Sequence, residues 1–426
     1  MPKIFKVGDS MEFQREKYLQ ALKNRMHNGL IKVITGIRRC GKSYLVFNIF
    51  QKYLLDIGVP QKQIITMAFD ERKNKEYRDP DKLLAYVEEK INDDKQYYLL
   101  LDEVQMLRDF EEVLNSLLHI ANLDIYVTGS NSKFLSKDII TEFRGRGDEV
   151  HVYPLTFKEF MQCYHGDVYH GWADYITYGG LPLVAAMPTE EQKAAYLERL
   201  FEETYLKDIV EHNHLEKNQE LGDLINVLAS SIGSLTNAPK IEATFKSVLH
   251  SSISGNTIRK YLDFLKDAFV VAEAQRFDVK GRKYIGTPVK YYFEDVGLRN
   301  ARLGFRQIEE THLMENVLYN ELRARGYRVD VGVVMQRTLE DGIQRKKQLE
   351  VDFIANMGSK RFYIQSAMAL PSAEKLAQEK ASLLNIGDSF KKIIVVKDIV
   401  KVRRDNDGIV VMNIFDFLLQ ENSLEL

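Results

Sequence analysis

Cysteine is almost missing from this chain: Cys40 and Cys163 are the only two among 426 residues. That excludes a disulfide framework. Neither cysteine has Cys or His neighbours at metal-ligand spacing, and a reducing compartment fits such usage. Long apolar runs are also lacking, so no membrane-spanning helix is expected. The opening Met1–Val7 has no apolar stretch of the kind a secretory signal needs. Neither sign of charge dominates, since 59 Lys and Arg stand against 61 Asp and Glu. Binding to nucleic acid or an anionic surface would therefore need a local patch rather than whole-molecule attraction. The expectation is a soluble, cytoplasmic protein with no membrane partner.

What is present is ordinary globular material, 45% hydrophobic and 28% charged, enough for two or three cores in a chain of this length. Residues 1–165 alternate short apolar runs, Leu30–Thr35, Ile64–Phe69, Tyr97–Leu101 and Asp124–Thr128, with helical stretches. Such runs read as buried parallel strands of an α/β domain. Residues 166–298 turn helical after Gly179-Gly180-Leu181-Pro182. Two helices, Lys240–Leu249 and Asn256–Lys266, flank a Ser/Gly break, and strands Phe269–Ala274 and Val289–Phe293 follow around a basic tip, Lys280-Gly281-Arg282-Lys283. Helices followed by a basic hairpin read as a winged helix. Residues 299–426 return to α/β, with a helix over Thr311–Arg325, another over Ala373–Leu384, and strands Leu349–Ala355, Arg361–Ser366 and Lys392–Lys397.

The strongest chemical signal is Gly36-Ile37-Arg38-Arg39-Cys40-Gly41-Lys42-Ser43, a full G-x-x-x-x-G-K-[ST] pattern. Ile31–Thr35 leads in as a strand and Tyr44–Leu55 leads out as a helix, which is the setting a phosphate loop requires. Backbone N–H groups from Gly36 to Tyr44 would surround phosphates at the positive end of the helix. Lys42 would hold the outer phosphates of ATP, and Ser43 would ligate Mg²⁺. Tyr97–Leu101 ends in Asp102-Glu103, a Walker B pattern. Asp102 would hold Mg²⁺ and Glu103 would polarise the attacking water. The tip of the next strand offers Thr128, Ser130 and Asn131, either as a γ-phosphate sensor or as a self-capped turn. Arg144 and Arg146, spaced by Gly145, could neutralise developing phosphoryl charge in cis or, in a homo-oligomer, from a neighbouring subunit. Arg38 and Arg39 could face nucleotide or an acidic strand tip.

These residues resemble a group of prokaryotic ATPases related to the AAA+ superfamily. Further marks are Leu101-Asp102-Glu103-Val104-Gln105, Thr128-Gly129-Ser130, Tyr153–Phe160, Tyr178-Gly179-Gly180-Leu181-Pro182 and Tyr291–Asn300. The resemblance implies an ASCE-type P-loop NTPase sheet with the Asp102 strand not adjacent to the phosphate-loop strand. It also implies a winged-helix segment and a carboxy-terminal domain similar to PD-(D/E)XK nucleases. For that domain the sequence offers Glu315 or Glu321 on a helix, Asp352, and Gln365-Ser366-Ala367. Ala367 stands where such nucleases carry lysine, so a degenerate site without nuclease activity is expected. In the winged helix, Ile258, Tyr261, Leu262 and Leu265 form the apolar face. Asn256, Thr257, Arg259 and Lys260, with Arg282 and Lys283 at the tip, remain for DNA or for a solvated scaffold surface that meets a protein partner. The basic runs Arg345-Lys346-Lys347 and Lys401–Arg404 read as solvated loops. His165 and His170 lack metal-ligand partners, and Trp172 reads as packing.

Overall fold

The computed structural model describes residues 13–129, 145–215, 218–340 and 343–426. Five parallel strands build the first sheet: β1 (Ile31–Thr35), β2 (Ile64–Ala68), β3 (Tyr97–Asp102), β4 (Leu123–Thr128) and β5 (Gly147–His151). Their order is β2-β3-β4-β1-β5, so β4 separates the strand that ends in Asp102 from the strand that enters the phosphate loop. Strands β1, β3 and β4 are buried at every position, as expected of parallel strands covered on both faces. Alternate residues feed two different cores. Ile31, Val33, Leu99, Leu101, Ile125 and Val127 join one, while Ile34, Leu100 and Tyr126 join the other. β5 carries no apolar pattern that announces a strand. Its sequence, Gly-Asp-Glu-Val-His, buries only Val150, because an edge strand packs against fewer neighbours and needs little apolar pattern. The helix leaving the loop runs through Lys42–Tyr44, a π-helical Leu45–Phe50 and Gln51–Asp56.

The middle of the chain is helical, from Val168–Tyr178 and Glu190–Leu200 through Lys207–His212 to Asn218–Ser230, Ala238–Ser247 and Gly255–Asp267. The last three lead into the hairpin. Asn237 caps Ala238–Ser247 and Ser254 caps Gly255–Asp267 through their side-chain oxygens. Ile258, Tyr261, Leu262 and Leu265 are all buried, which bears out the helical face read from their spacing. A hairpin, β6 (Val271–Asp278) and β7 (Lys283–Phe293), comes next, and Thr236 forms an antiparallel bridge to Val289.

The second sheet contains β6, β7, β8 (Arg328–Glu340), β9 (Ile343–Met357), β10 (Lys360–Ala367), β11 (Lys391–Val396), β12 (Arg403–Arg404) and β13 (Val410–Asn413). It is mixed, in the order β12-β13-β11-β10-β9-β8-β6-β7. Arg276–Asp278 of β6 run parallel to Val331–Val333 of β8. The hairpin and β8, which fall on opposite sides of the 298/299 boundary read from the sequence, are therefore strands of one sheet. One apolar cluster also runs from Ile34 and Tyr126 through Trp172 and Leu262 to Leu318 and Phe353.

Arg345-Lys346-Lys347 lie in β9, not in a loop: Lys347 faces Gln336, Lys346 faces Arg337 and Arg345 faces Thr338 across the β8–β9 ladder. A charged stretch has no apolar alternation to announce a strand. This one is carried into the ladder by its continuity with the buried Val351–Ala355. Of the second basic run, Arg403 and Arg404 form the short edge strand β12.

Candidate nucleotide site and its surroundings

The loop from Gly36 to Ser43 turns between the carboxyl end of β1 and the helix that starts at Lys42. Its two terminal glycines are required by geometry. Gly36 has φ 137° and a Cβ there would fall 2.1 Å from the Val152 carbonyl oxygen, while Gly41 has φ 102°. Ile37 and Cys40 are buried under the loop and fix its curvature from below.

Lys42 is only 5% exposed. Its Nζ donates to the carbonyl oxygens of Gly36 at 2.8 Å and Ile37 at 3.1 Å. Among the described residues no carboxylate pairs with it. An ammonium buried against carbonyl dipoles alone is under-compensated, and an anion at the mouth of the loop would complete its shell.

Asp102 lies at the end of β3 and is buried. Its Oδ1 accepts from the Ser43 hydroxyl at 3.0 Å and from the Thr128 hydroxyl. Burial pushes the Asp102 carboxyl up, the two hydroxyls pull it down, and the neighbouring Glu103 charge pushes it up again, with a net rise. A cation beside it would reverse that balance. The donors here, one carboxylate and one hydroxyl, are all oxygen, and such a set fits Mg²⁺ shared with phosphate oxygens. Thr128 is fully buried and its hydroxyl is spent on orienting Asp102. Ser130 and Asn131 lie outside the described residues. Glu103 sits in the left-handed region at φ 53°, a strained conformation for a side-chain-bearing residue. Gln105 Nε2 donates to its Oε2, which holds the carboxylate in one direction.

The arginines do not fall as read from the sequence. Arg38 pairs with Asp208, on the helix Lys207–His212, and its carbonyl accepts from the Tyr205 hydroxyl at 2.5 Å. Its partner is thus a helix of the middle region rather than an acidic strand tip. Arg39 is exposed. Arg144 lies outside the described residues. The Arg146 carbonyl accepts from the N–H of Ile31, at the amino end of β1. β5 runs parallel to β1, so the residue preceding β5 stands at the amino end of the strands, opposite the phosphate loop and about 16 Å from Gly36 at the rise of a strand. Action of Arg146 on its own chain's phosphate loop is therefore set aside.

Two features behind the loop had no sequence signal, because their members are far apart in the chain. Thr35, the residue before Gly36, bonds Glu149 at 2.6 Å and His151 Nδ1 at 3.0 Å. His151 Nε2 lies 2.8 Å from Glu294, whose other oxygen accepts from Arg323 at 2.8 Å. Burial alone would raise the Glu294 carboxyl, but Arg323 and His151 overcome it and hold the group below its usual range. Next to it, Asp295 accepts from the N–H groups of Gly180 at 2.7 Å and Leu298 at 3.0 Å. Burial pushes Asp295 up to about 6 against these bonds. Together the two acids stitch β1 and the Gly179-Gly180 turn to the helix Glu310–Ala324.

On the helix Glu310–Ala324, Glu321 pairs with Arg325 at 2.7 Å, whereas Glu315 shares a cluster with Glu350 and Asp352 of the second sheet. Glu315 is thus the helix acid on the side of Asp352. Gln365 meets the Ser382 hydroxyl at 3.4 Å, and Ala367 is buried among apolar side chains. Lys290 of β7 reaches into the acidic cluster, and nothing in its sequence surroundings points there. Asn256, Arg259, Lys260, Arg282 and Lys283 are exposed, and Thr257 is half-buried against Ser254. Among the described residues no His, Cys, Asp and Glu group has the geometry of a metal site, and no helix is long and apolar enough to cross a membrane.

Residues 28–161 match the AAA domain family, and residues 169–309 match a domain of unknown function, DUF8612. An uncharacterized protein of Haemophilus influenzae is 33% identical over 412 residues, covering 95% of this chain and 98% of that one. This chain belongs to the same family. Within it, an uncharacterized protein of Methanocaldococcus jannaschii is similar at 27% identity, over 82% of this chain and 77% of its own. The crystal structure of Cdc6p from Pyrobaculum aerophilum aligns with 71% of this chain and 96% of its own at 12% identity. Its TM-score of 0.30 is too low to inform this family member further.

Proposed function

We propose that this protein is a Mg²⁺-dependent ATPase whose nucleotide state repositions its middle and carboxy-terminal regions. The observation that carries the reading is the buried Lys42 ammonium, met only by loop carbonyls. Backbone N–H groups of the loop and Lys42 would receive the phosphates, and Ser43 and Asp102 would hold Mg²⁺. Bound there, the cation would neutralise charge on the phosphate oxygens. Glu103, directed by Gln105, would take the proton of the attacking water. Thr128 would keep Asp102 in place.

The nucleotide would be sensed through Arg38. Its guanidinium is paired with the half-exposed Asp208, and a phosphate oxygen would compete for the same cation. Release of Asp208 would free the helix Lys207–His212 from the loop. The middle region reads as a winged helix, supported by its order of helices, bridge and hairpin. The carboxy-terminal region reads as nuclease-like, supported by Glu315 and Asp352 meeting in one cluster. The test is turnover of ATP by the purified chain, with Lys42→Ala as control. Equal turnover in the two would overturn the site.

A second reading, a nucleotide-gated DNA-binding module without significant turnover, is favoured by the exposed Asn256, Arg259, Lys260, Arg282 and Lys283. It predicts duplex affinity that falls steeply with salt and drops when Arg282 and Lys283 are both changed to Glu.

A further inference from the structure

A nuclease-like reading of the second sheet brings with it a divalent cation held by the helix acid and the strand aspartate. The donor set in this chain does not fit one. Lys290, from β7, places its Nζ 2.8 Å from Glu315 Oε1 and 2.7 Å from Glu350 Oε1. Its side chain is 4% exposed. The Tyr292 hydroxyl donates to the same Glu315 oxygen at 2.5 Å. Asp352 Oδ2 is occupied by the Ser366 N–H at 2.7 Å. One oxygen of each carboxylate is thus met by a donor of the chain itself, and two of the three by the same ammonium.

Mg²⁺ requires near-octahedral oxygen ligation at about 2.0–2.1 Å and sheds water reluctantly. To reach Glu315 or Glu350 it would have to displace a buried ammonium from one of its two acids, leaving that charge under-compensated. The ammonium is also held from behind. It sits one residue before Tyr291 and two before Tyr292, whose ring stacks on Tyr319 at 4.2 Å and meets Phe353 at 6.2 Å. Retraction of Lys290 would require that aromatic packing to shift.

We infer that Lys290 is the resident counter-ion of this cluster, supplied by the hairpin of the middle region, and that the second sheet is a metal-free unit whose cation is part of the chain. The inference rests on the nuclease-like reading only for the expectation of a metal. It has a mechanical consequence: the hairpin that carries Arg282 and Lys283 is pinned to the helix Glu310–Ala324 and to β9 by the same charge, so hairpin and sheet move as one body.

The experiment uses the full chain carrying Asp102→Asn, without nucleotide, so that the proposed Mg²⁺ site has lost its carboxylate and failure of the ATPase reading leaves the result unaffected. Mn²⁺ is titrated and the free ion is followed by its paramagnetic resonance signal. With Lys290 intact, no Mn²⁺ is expected to bind at millimolar concentration. Lys290→Met, which opens the carboxylates, is expected to bind one Mn²⁺ per chain, with affinity falling at least about tenfold when Asp352→Asn is added. If Lys290→Met cannot be purified folded, Lys290→Gln, which keeps a hydrogen-bond donor while removing the charge, takes its place. One Mn²⁺ bound per chain with Lys290 intact, and lost in Asp352→Asn, would overturn the inference. So would the absence of binding in the folded Lys290 variants.

Discussion

Two buried lysines divide this molecule. Lys42, in the phosphate loop, is 5% exposed and is met only by the carbonyls of Gly36 and Ile37. Lys290, in the second sheet, is equally hidden but is met by two carboxylates. The same ammonium group thus serves opposite ends. Left without a counter-charge, it serves on the proposed reading as a receptor for an anion. Given one from its own chain, it becomes part of the scaffold and closes the site to outside ions. The first sheet keeps its cation, without a carboxylate partner among the described residues, at a loop between strand and helix. The second sheet takes its cation from a neighbouring hairpin and encloses it.

The largest expected effect breaks the first half of that comparison. Lys42→Ala should lower ATP turnover by at least about a hundredfold, the scale of losing one preorganised charge donor, and should abolish nucleotide binding in a fluorescence assay. Its stability without nucleotide should stay level or rise, because an under-compensated buried charge has gone. Glu103→Gln should retain binding while turnover falls by about a hundredfold or more, the scale of general-base assistance. Equal loss of binding would show that Glu103 supports the loop instead of the water.

The second half is sharpened by Lys290→Met. Unlike Lys42→Ala, it should destabilise the chain, by about 3 kcal/mol in urea unfolding, the scale for breaking a buried ion pair from one side. Opposite signs for the two lysines are the direct check of the contrast.

Asp295 gives a smaller, pH-dependent effect. Its carboxyl is raised from 3.8 to about 6 by burial, so between those values the native chain holds a proton that the unfolded chain has released. Stability from this group therefore falls as pH rises from about 4 to 6. Asp295→Asn should flatten the urea midpoint over that window, and an unchanged slope would remove Asp295 as its source. The least effect is expected of Arg38→Ala. Its pair with Asp208 is 38% and 45% exposed, so stability should change by less than about 1 kcal/mol. Its expected signature is instead a loss of the nucleotide-dependent change in protease sensitivity near Lys207–His212.

Legibility followed locality. The G-x-x-x-x-G-K-S pattern, the strand ending in Asp102 and the order of helices before the hairpin each lie within a few dozen residues. Their signals are turn chemistry and apolar period, which neighbouring residues carry. The Ala373–Leu384 helix was legible to its ends because Ser372 caps it and its apolar face repeats. β5 and the outer part of β9 were not legible, since an edge strand and a ladder extension need few buried side chains. Arg146, spaced from Arg144 by Gly145, reads as a partner for phosphoryl charge in cis or from a neighbouring subunit, yet the direction of β5 puts it at the amino end of the strands, away from its own chain's loop.

By itself the sequence determined the G-x-x-x-x-G-K-S loop at Gly36–Ser43, an acid pair at Asp102-Glu103 and the α/β character of both ends, because each is written in adjacent residues. Only the tertiary structure decided that Arg38 answers to Asp208, that Thr128 serves Asp102, that His151 and Glu294 link β1 to Arg323, and that Lys290 fills the carboxylate cluster. Those pairings join groups up to 170 positions apart. The choice of partner at that separation follows from how strands order and helices cross, and no local pattern encodes it.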